Sequence, residues 1–295
     1  DNPGGGRLVP GQSYAAVALN TARATHVQLD LPGGPAPARR WVAIGCGHLG
    51  EAAAGDATEA DGPVENLLAV SWQPGFCATA AGRDKRECRS LTAASPAARQ
   101  FSLHGLWPDD LDDRAAFPCW CGDGPPSSCR DSGRAGPVPR LPEGLRARLE
   151  AAMPGTQSGL DRHEWAKHGT CYEAMATGAD AGATAEEYFA ETLGLFDQLN
   201  ASPLPALFAK AAGGRLGARE LRAAFDAAFG PGAGDRVLMI CDEAAGERVV
   251  TELWIGLGAG IGPASDLGAL IHRAPPARAF SARGSCEAGL VVRAR

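Results

Sequence analysis

No apolar run in this chain of 295 residues approaches the roughly 18 residues that a membrane-spanning helix needs. No membrane partner is therefore expected. Basic charge is scarce as well: 28 Lys and Arg against 34 Asp and Glu leave a net charge of −6. A protein that grips nucleic acid through general phosphate neutralisation usually carries a strongly basic face. Any such ligand must here be held by a few local cations. Zinc motifs are missing too. A zinc ribbon needs two CxxC knuckles, and the nearest approach, Cys119-Trp120-Cys121, is one residue too tight and has no second half. No internal repeat is evident. The opening Asp1-Asn2-Pro3-Gly4 carries no leader pattern and reads as the start of a mature or trimmed chain.

Cysteine, by contrast, is plentiful. Nine are spread over positions 46, 77, 88, 119, 121, 129, 171, 241 and 286, too many for a reducing cytoplasm. Disulfides formed in an oxidising compartment, secreted or periplasmic, are the better reading. An odd count leaves at least one thiol free or paired between chains. With 45% hydrophobic and 21% charged residues the rest is ordinary globular composition, enough for one large domain or a large and a small one.

The chain divides in three. Residues 1–49 hold strand-like runs near 13–20, 26–31 and 40–44, broken by a Pro-Gly loop at 32–38, and form a small β-rich module. Gly11-Gln12-Ser13-Tyr14 and Arg40-Trp41-Val42 give it a resemblance to SH3-like binding modules, its partner undefined. Residues 50–65 are acidic, lack aromatics and read as a linker. The main domain, 66–295, carries expected strands at 67–73, 100–105, 236–241 and 248–257. In the last, Val249, Thr251, Leu253, Ile255 and Leu257 share one face. Helices are expected at 143–152, about 185–199 behind the capping box Thr184-x-x-Glu187, and about 218–229 before Gly230-Pro231. Strands and helices do not alternate as βαβ units. The fold class is α+β, a central, mainly antiparallel sheet flanked by helices.

Two segments concentrate the chemistry. In Phe101-Ser102-Leu103-His104-Gly105-Leu106-Trp107-Pro108 a strand delivers a histidine and then an aromatic. A lone histidine there would more often be a partly buried strand terminus. The second segment is Asp161-Arg162-His163-Glu164-Trp165-Ala166-Lys167-His168-Gly169-Thr170-Cys171. Asp161 can cap a helix and Gly169 can end it in a left-handed conformation. At about 100° per residue, His163, Lys167, Glu164 and His168 share one side, with Trp165 and Ala166 opposite. Catalytic zinc does not fit. A zincin needs histidines four apart, and the residue four after His163 is Lys167, whose ammonium would repel a dication. Two histidines, a lysine and a carboxylate without metal suit cleavage of RNA by its own 2′-hydroxyl. One imidazole takes the 2′-OH proton, another protonates the departing 5′-oxygen, and fixed cations stabilise the charged phosphorane.

These segments closely resemble the two active-site motifs of the T2 ribonuclease family, a strand with HGLWP and a helix with HEWxKHGTC. Here they read His104-Gly-Leu-Trp-Pro and His163-Glu-Trp-Ala-Lys-His-Gly-Thr-Cys171. Ser71-Trp72-Gln73-Pro74-Gly75-Phe76-Cys77 resembles the family's opening strand, so the likeness spans about 66–290. The resemblance implies a metal-independent, cofactor-free acid endoribonuclease for single-stranded RNA, inert to DNA, releasing a 2′,3′-cyclic phosphate and then a 3′-phosphate. It implies His168 as general base, His104 as general acid, and Glu164 with Lys167 as stabilisers of the intermediate. His163 would bind phosphate, and Trp107 and Asp109 the base. The aromatic that would complete the base pocket further along is not obvious, since Ala115 and Ala116 occupy the stretch. It also implies bonds Cys77–Cys88, Cys241–Cys286 and Cys119–Cys171, leaving Cys46, Cys121 and Cys129, with Cys46 free or bonded to the main domain. The rival reading is a catalytically weak RNA-binding or toxin-type protein on the same scaffold.

Overall fold

A computed structural model describes residues 8, 14, 16–19, 25–30, 39–46, 65–109, 111, 119–121, 136–172, 184–277 and 284–294. Near the N-terminus, β1 (Ala16–Leu19), β2 (His26–Asp30) and β3 (Arg39–Ala43) form a three-stranded antiparallel meander, as their alternation predicts. The Pro-Gly loop at 32–38 and the acidic stretch 51–64 lie outside the described residues.

The main domain opens with β4 (Glu65–Ser71), α1 (Gln73–Ala78) and α2 (Arg86–Arg89). β5 (Ser102–Asp109), α3 (Glu143–Ala152), α4 (Leu160–Lys167), α5 (Ala185–Ala201) and α6 (Leu204–Ala211) follow. Then come β6 (Arg215–Gly217), α7 (Ala218–Phe229), β7 (Val237–Ala244), β8 (Glu247–Leu257), α8 (Leu267–Arg273) and β9 (Ala288–Leu290). The expected α+β class holds. The strands make a six-stranded sheet in the order β5-β4-β8-β9-β6, with β7 also paired to β8. All its ladders are antiparallel except the short β8–β9 contact.

Period two gives the sheet two unlike faces. One carries Leu68, Val70, Leu103, Leu106, Leu253 and Ile255 into the main core, closed by Tyr188, Phe189 and Leu193 of α5. The other carries Leu67 and Ala69, with Trp107 and Trp254 packed against them. Tyr188 fastens α5 to β5, its hydroxyl donating to the Leu106 carbonyl at 2.8 Å. The capping box of α5 forms as expected, Thr184 accepting from the Glu187 amide and Glu187 from the Thr184 amide. The expected spans of α3 and α7 coincide with the observed ones. One expectation fails at the end of the first strand of the main domain: β4 stops at Ser71, short of the expected 73, and most of the segment that resembles the family's opening strand lies in α1. Pro74 at the start of α1 suits a first helical turn, and Gly75 lies so close to the Val250 carbonyl (1.9 Å from a built Cβ) that no side chain fits there.

Candidate active site

The second face of the sheet owes its histidine to an irregularity in β5. Against β4, Gly105 pairs with Ala69 but Leu103 pairs with Val70, so His104 is an extra residue in a β-bulge. Strict alternation would put His104 and Trp107, three apart, on opposite faces. The bulge turns both to the same face while Leu103 and Leu106 stay in the core, the re-aiming that bulges commonly provide.

Above this face lies α4. The chain enters it from the turn Pro154–Ser158 through Gly159 at φ +84°. Gly159, not Asp161, is the N-cap. The Asp161 carboxylate, in the first turn, accepts from Arg146 Nη1 at 2.7 Å and ties α4 to α3. Gly169 differs from expectation too: it continues into the turn Gly169–Cys171 and is not among the residues of positive φ. Its need is steric, since a Cβ there would sit 2.4 Å from the Trp165 ring.

The disulfides Cys77–Cys88 and Cys241–Cys286 are present, and Cys46 is exposed and free. The third pairing differs. Cys171 bonds Cys121 across a Cα separation of 5.1 Å, while Cys119 belongs to another disulfide. The Trp120 amide donates to the Lys167 carbonyl at 2.8 Å, a register that lays Cys121 over Cys171. Trp120 takes up φ +58°, a strained value for a bulky residue, held there between two half-cystines.

Glu164, 1% exposed, is the hub. One carboxylate oxygen accepts from Trp107 Nε1 at 2.7 Å, and the other lies 3.5 Å from His104 Nε2. Gly105 is obligatory beneath it, because a Cβ would fall 1.9 Å from that carboxylate and 3.0 Å from Trp107 Nε1. Trp107 stacks on His168 (centroids 5.3 Å, 26° between planes) and meets His104 edge-on at 5.1 Å. His163 stands edge-on to Trp120 at 5.8 Å and to His168 at 6.4 Å. The structure thus brings together His104, Trp107, His163, Glu164 and His168, with Lys167 next along α4. Asp109 ends β5 opposite Glu65, and the stretch with Ala115 and Ala116 lies outside the described residues.

Three participants escaped the sequence reading. Glu252 and Trp254 come from β8. Its apolar alternation assigns one face to the core and leaves these two on the other, where the small Ala69 and Ser71 of β4 lie between β8 and β5. Glu252 Oε1 lies 2.7 Å from His104 Nδ1, and its other oxygen accepts from Trp254 Nε1 at 2.7 Å. A carboxylate in the middle of β8, between the apolar runs on either side, was the available signal. The third is Trp120, flagged only by its place between two cysteines.

The imidazoles are driven apart electrostatically. Burial pulls His104 down, but the charge and hydrogen bond of Glu252, helped by Glu164 and opposed by Lys167, outweigh it and hold the pKa at about 9. A quarter of the His104 side chain stays open to solvent. His168, 3% exposed, is pushed well below the ordinary imidazole value by burial and by the positive charges of Lys167, His163 and His104. Burial raises Glu164 to about 7 against the pull of His104, Trp107 and Lys167. Near neutral pH, then, His104 is protonated and His168 is not. Ligand-type atoms of His163, Glu164 and His168 lie within 4.8 Å of one another. Lys167 and protonated His104 set positive charge beside them, which opposes a dication there.

Several known proteins are similar to this chain. The sequence model of the Ribonuclease T2 family matches residues 66–262. The chain is 29% identical over 211 residues to Ribonuclease I of Escherichia coli (strain K12), covering 65% of this chain and 74% of the relative. It is 32% identical over 129 residues to Extracellular ribonuclease LE of Solanum lycopersicum, covering 44% and 48%. Among solved structures it is similar to RNase NT in complex with 5′-AMP (17% identity, TM-score 0.45, 78% of this chain and 98% of that one). It is also similar to human RNase T2 (18% identity, TM-score 0.42, 66% and 85%). With about two-thirds of its length matched by the family model, the chain belongs to the Ribonuclease T2 family.

Proposed function

We propose that this site cleaves single-stranded RNA by transesterification at phosphorus. Neutral His168 takes the proton of the ribose 2′-OH as that oxygen bonds to phosphorus. Protonated His104 gives its proton to the 5′-oxygen as the P–O5′ bond breaks. The products are a 2′,3′-cyclic phosphate and a 5′-hydroxyl. Hydrolysis of the cyclic ester then runs the roles in reverse, with His104 activating water and His168 returning a proton to the 2′-oxygen, leaving a 3′-phosphate. Lys167 and Glu164 flank the phosphorane. The Lys167 ammonium offsets its added charge, and Glu164 in its neutral form can donate to a non-bridging oxygen. His163 contributes to phosphate binding, and Trp107 and Asp109 to the base, for which stacking is sequence-tolerant. DNA, having no 2′-OH, is not a substrate.

The opposite protonation bias of His104 and His168 carries this reading, because acid–base catalysis needs both forms present at one pH. His104→Ala and His168→Ala should each lower turnover about 10²–10⁴-fold with the fold intact. Wild-type rates in either folded variant would remove that residue from the mechanism.

The disulfides favour a secreted or periplasmic location, and the Solanum lycopersicum relative is named as extracellular; no helix among the described residues is long and apolar enough to cross a membrane. The chain is read in three segments: a β-rich module at 1–49, a linker that ends one residue short of the expected 50–65 because Glu65 begins β4, and the catalytic domain from there to 295.

A further inference from the structure

Glu252 takes no part in the chemistry described so far, yet both of its oxygens are engaged at the site. Its carboxylate is 14% exposed. Oε1 meets His104 Nδ1 and Oε2 accepts from Trp254 Nε1, both at 2.7 Å. The Trp254 ring packs edge-on against Trp107 at 5.0 Å and 84°. The arrangement therefore closes on itself: Trp254 fixes Glu252, Glu252 fixes His104, and Trp107 braces both Trp254 and Glu164.

A neutral imidazole has one N–H. A carboxylate 2.7 Å from Nδ1 requires the proton to sit there, because an unprotonated Nδ1 would face an anion lone pair to lone pair. Nε2 is thereby the nitrogen whose proton is exchanged, and it is the one turned toward α4, 3.5 Å from Glu164. We infer that Glu252, steadied by Trp254, is a positioning residue for His104, fixing its tautomer and ring orientation and stabilising its imidazolium as it waits to protonate the leaving group. The inference rests on His104 being the general acid. A purely structural role is a poor account of the residue, because burying a carboxylate carries a desolvation cost that a neutral amide would largely avoid. What a carboxylate adds to an amide is charge, and the charge is aimed at one imidazole nitrogen. The groups facing His104 are Glu252 from β8, Glu164 and Lys167 from α4, and His168 at the end of that helix. Of these, Glu252 makes the close contact with Nδ1, and its influence is the largest of those that raise the His104 pKa.

The test is a leaving-group comparison on the full chain. Glu252→Gln keeps the shape and can still accept from Nδ1–H, but it lacks the charge. Glu252→Gln should lower kcat on a dinucleotide about tenfold or more, with KM little changed. The alkaline limb of kcat/KM should move to lower pH. On a 4-nitrophenyl ester of a nucleoside 3′-phosphate, whose leaving group departs without a proton, the loss should shrink to within about threefold. Trp254→Phe, which removes only the indole N–H donor, should show the same pattern more weakly and serves if the glutamine variant folds poorly. Equal losses on both substrates, or an unmoved alkaline limb, would overturn the role of Glu252. If His104→Ala itself loses equally on both substrates, His104 is not the general acid, and the reading of the site falls before that of Glu252.

Discussion

His104 and His168 lie against the same indole and yet are biased to opposite charges, and the pH dependence of catalysis should report it. His168 must be neutral to act as base, so kcat/KM should rise through a pKa well below 6.5, where burial and the positive charges of Lys167, His163 and His104 hold it. Glu164, near 7, loses its proton on the way up. An anionic Glu164 repels the phosphate and cannot donate to it, so activity should begin to fall there. His104, near 9, removes the remainder when it deprotonates. The sign is that of an acid optimum with a two-step alkaline decline. Lys167→Ala should move the acid limb upward, since a cation that depresses His168 is gone. Steady-state kinetics on a dinucleotide across acid and alkaline pH would check both. An optimum above about pH 8, or an acid limb that Lys167→Ala leaves in place, would contradict the assignment.

Much at the level of elements was legible because local signals and tertiary demands agreed. The alternation along β8, the capping box of α5 and the Gly-Pro stop after α7 each named an element that formed. The side-chain cluster on α4 followed from 3.6-residue periodicity in the same way. The bulge at His104 was not legible, because an extra residue in one strand is defined only against its partner. Nor was the choice of Cys121 over Cys119 for Cys171, which depends on the Trp120–Lys167 backbone bond. Glu252 comes from a strand 148 residues further along the chain, and no local pattern links it to His104. Gly105 shows how tightly β5 and α4 are fitted. Gly105→Ala should cost about 1–3 kcal/mol of stability through overpacking and lower kcat by pushing Glu164 off Trp107 and His104. Denaturant unfolding and kinetics measured side by side would show it, and a variant as stable and as active as the parent would mean that α4 rides more loosely than its contacts imply.

Taken whole, the chain is an acidic protein, net −6, and the cations its described site offers a polyanion are Lys167 and the protonated His104. The N-terminal meander forms a sheet separate from the catalytic one, and Cys46 makes no disulfide to the main domain. Removing residues 1–64 should therefore leave substantial activity on short RNA. The cut must spare Glu65, which begins β4 and accepts from the Leu111 amide at 3.0 Å. A truncated chain that aggregates or loses activity on a dinucleotide would show that the module supports the domain it precedes. Imidazole chemistry at phosphorus, without a bound ion, underlies every step proposed for the site. Its most direct measurement is digestion of single-stranded RNA in excess EDTA, with the product ends identified by mass spectrometry and a DNA of matching sequence alongside. Cleavage should be undiminished, the 2′,3′-cyclic phosphates should convert to 3′-phosphates, and the DNA should stay intact. Activity lost on chelation and restored by zinc or magnesium, or products ending in 5′-phosphate, would contradict that chemistry.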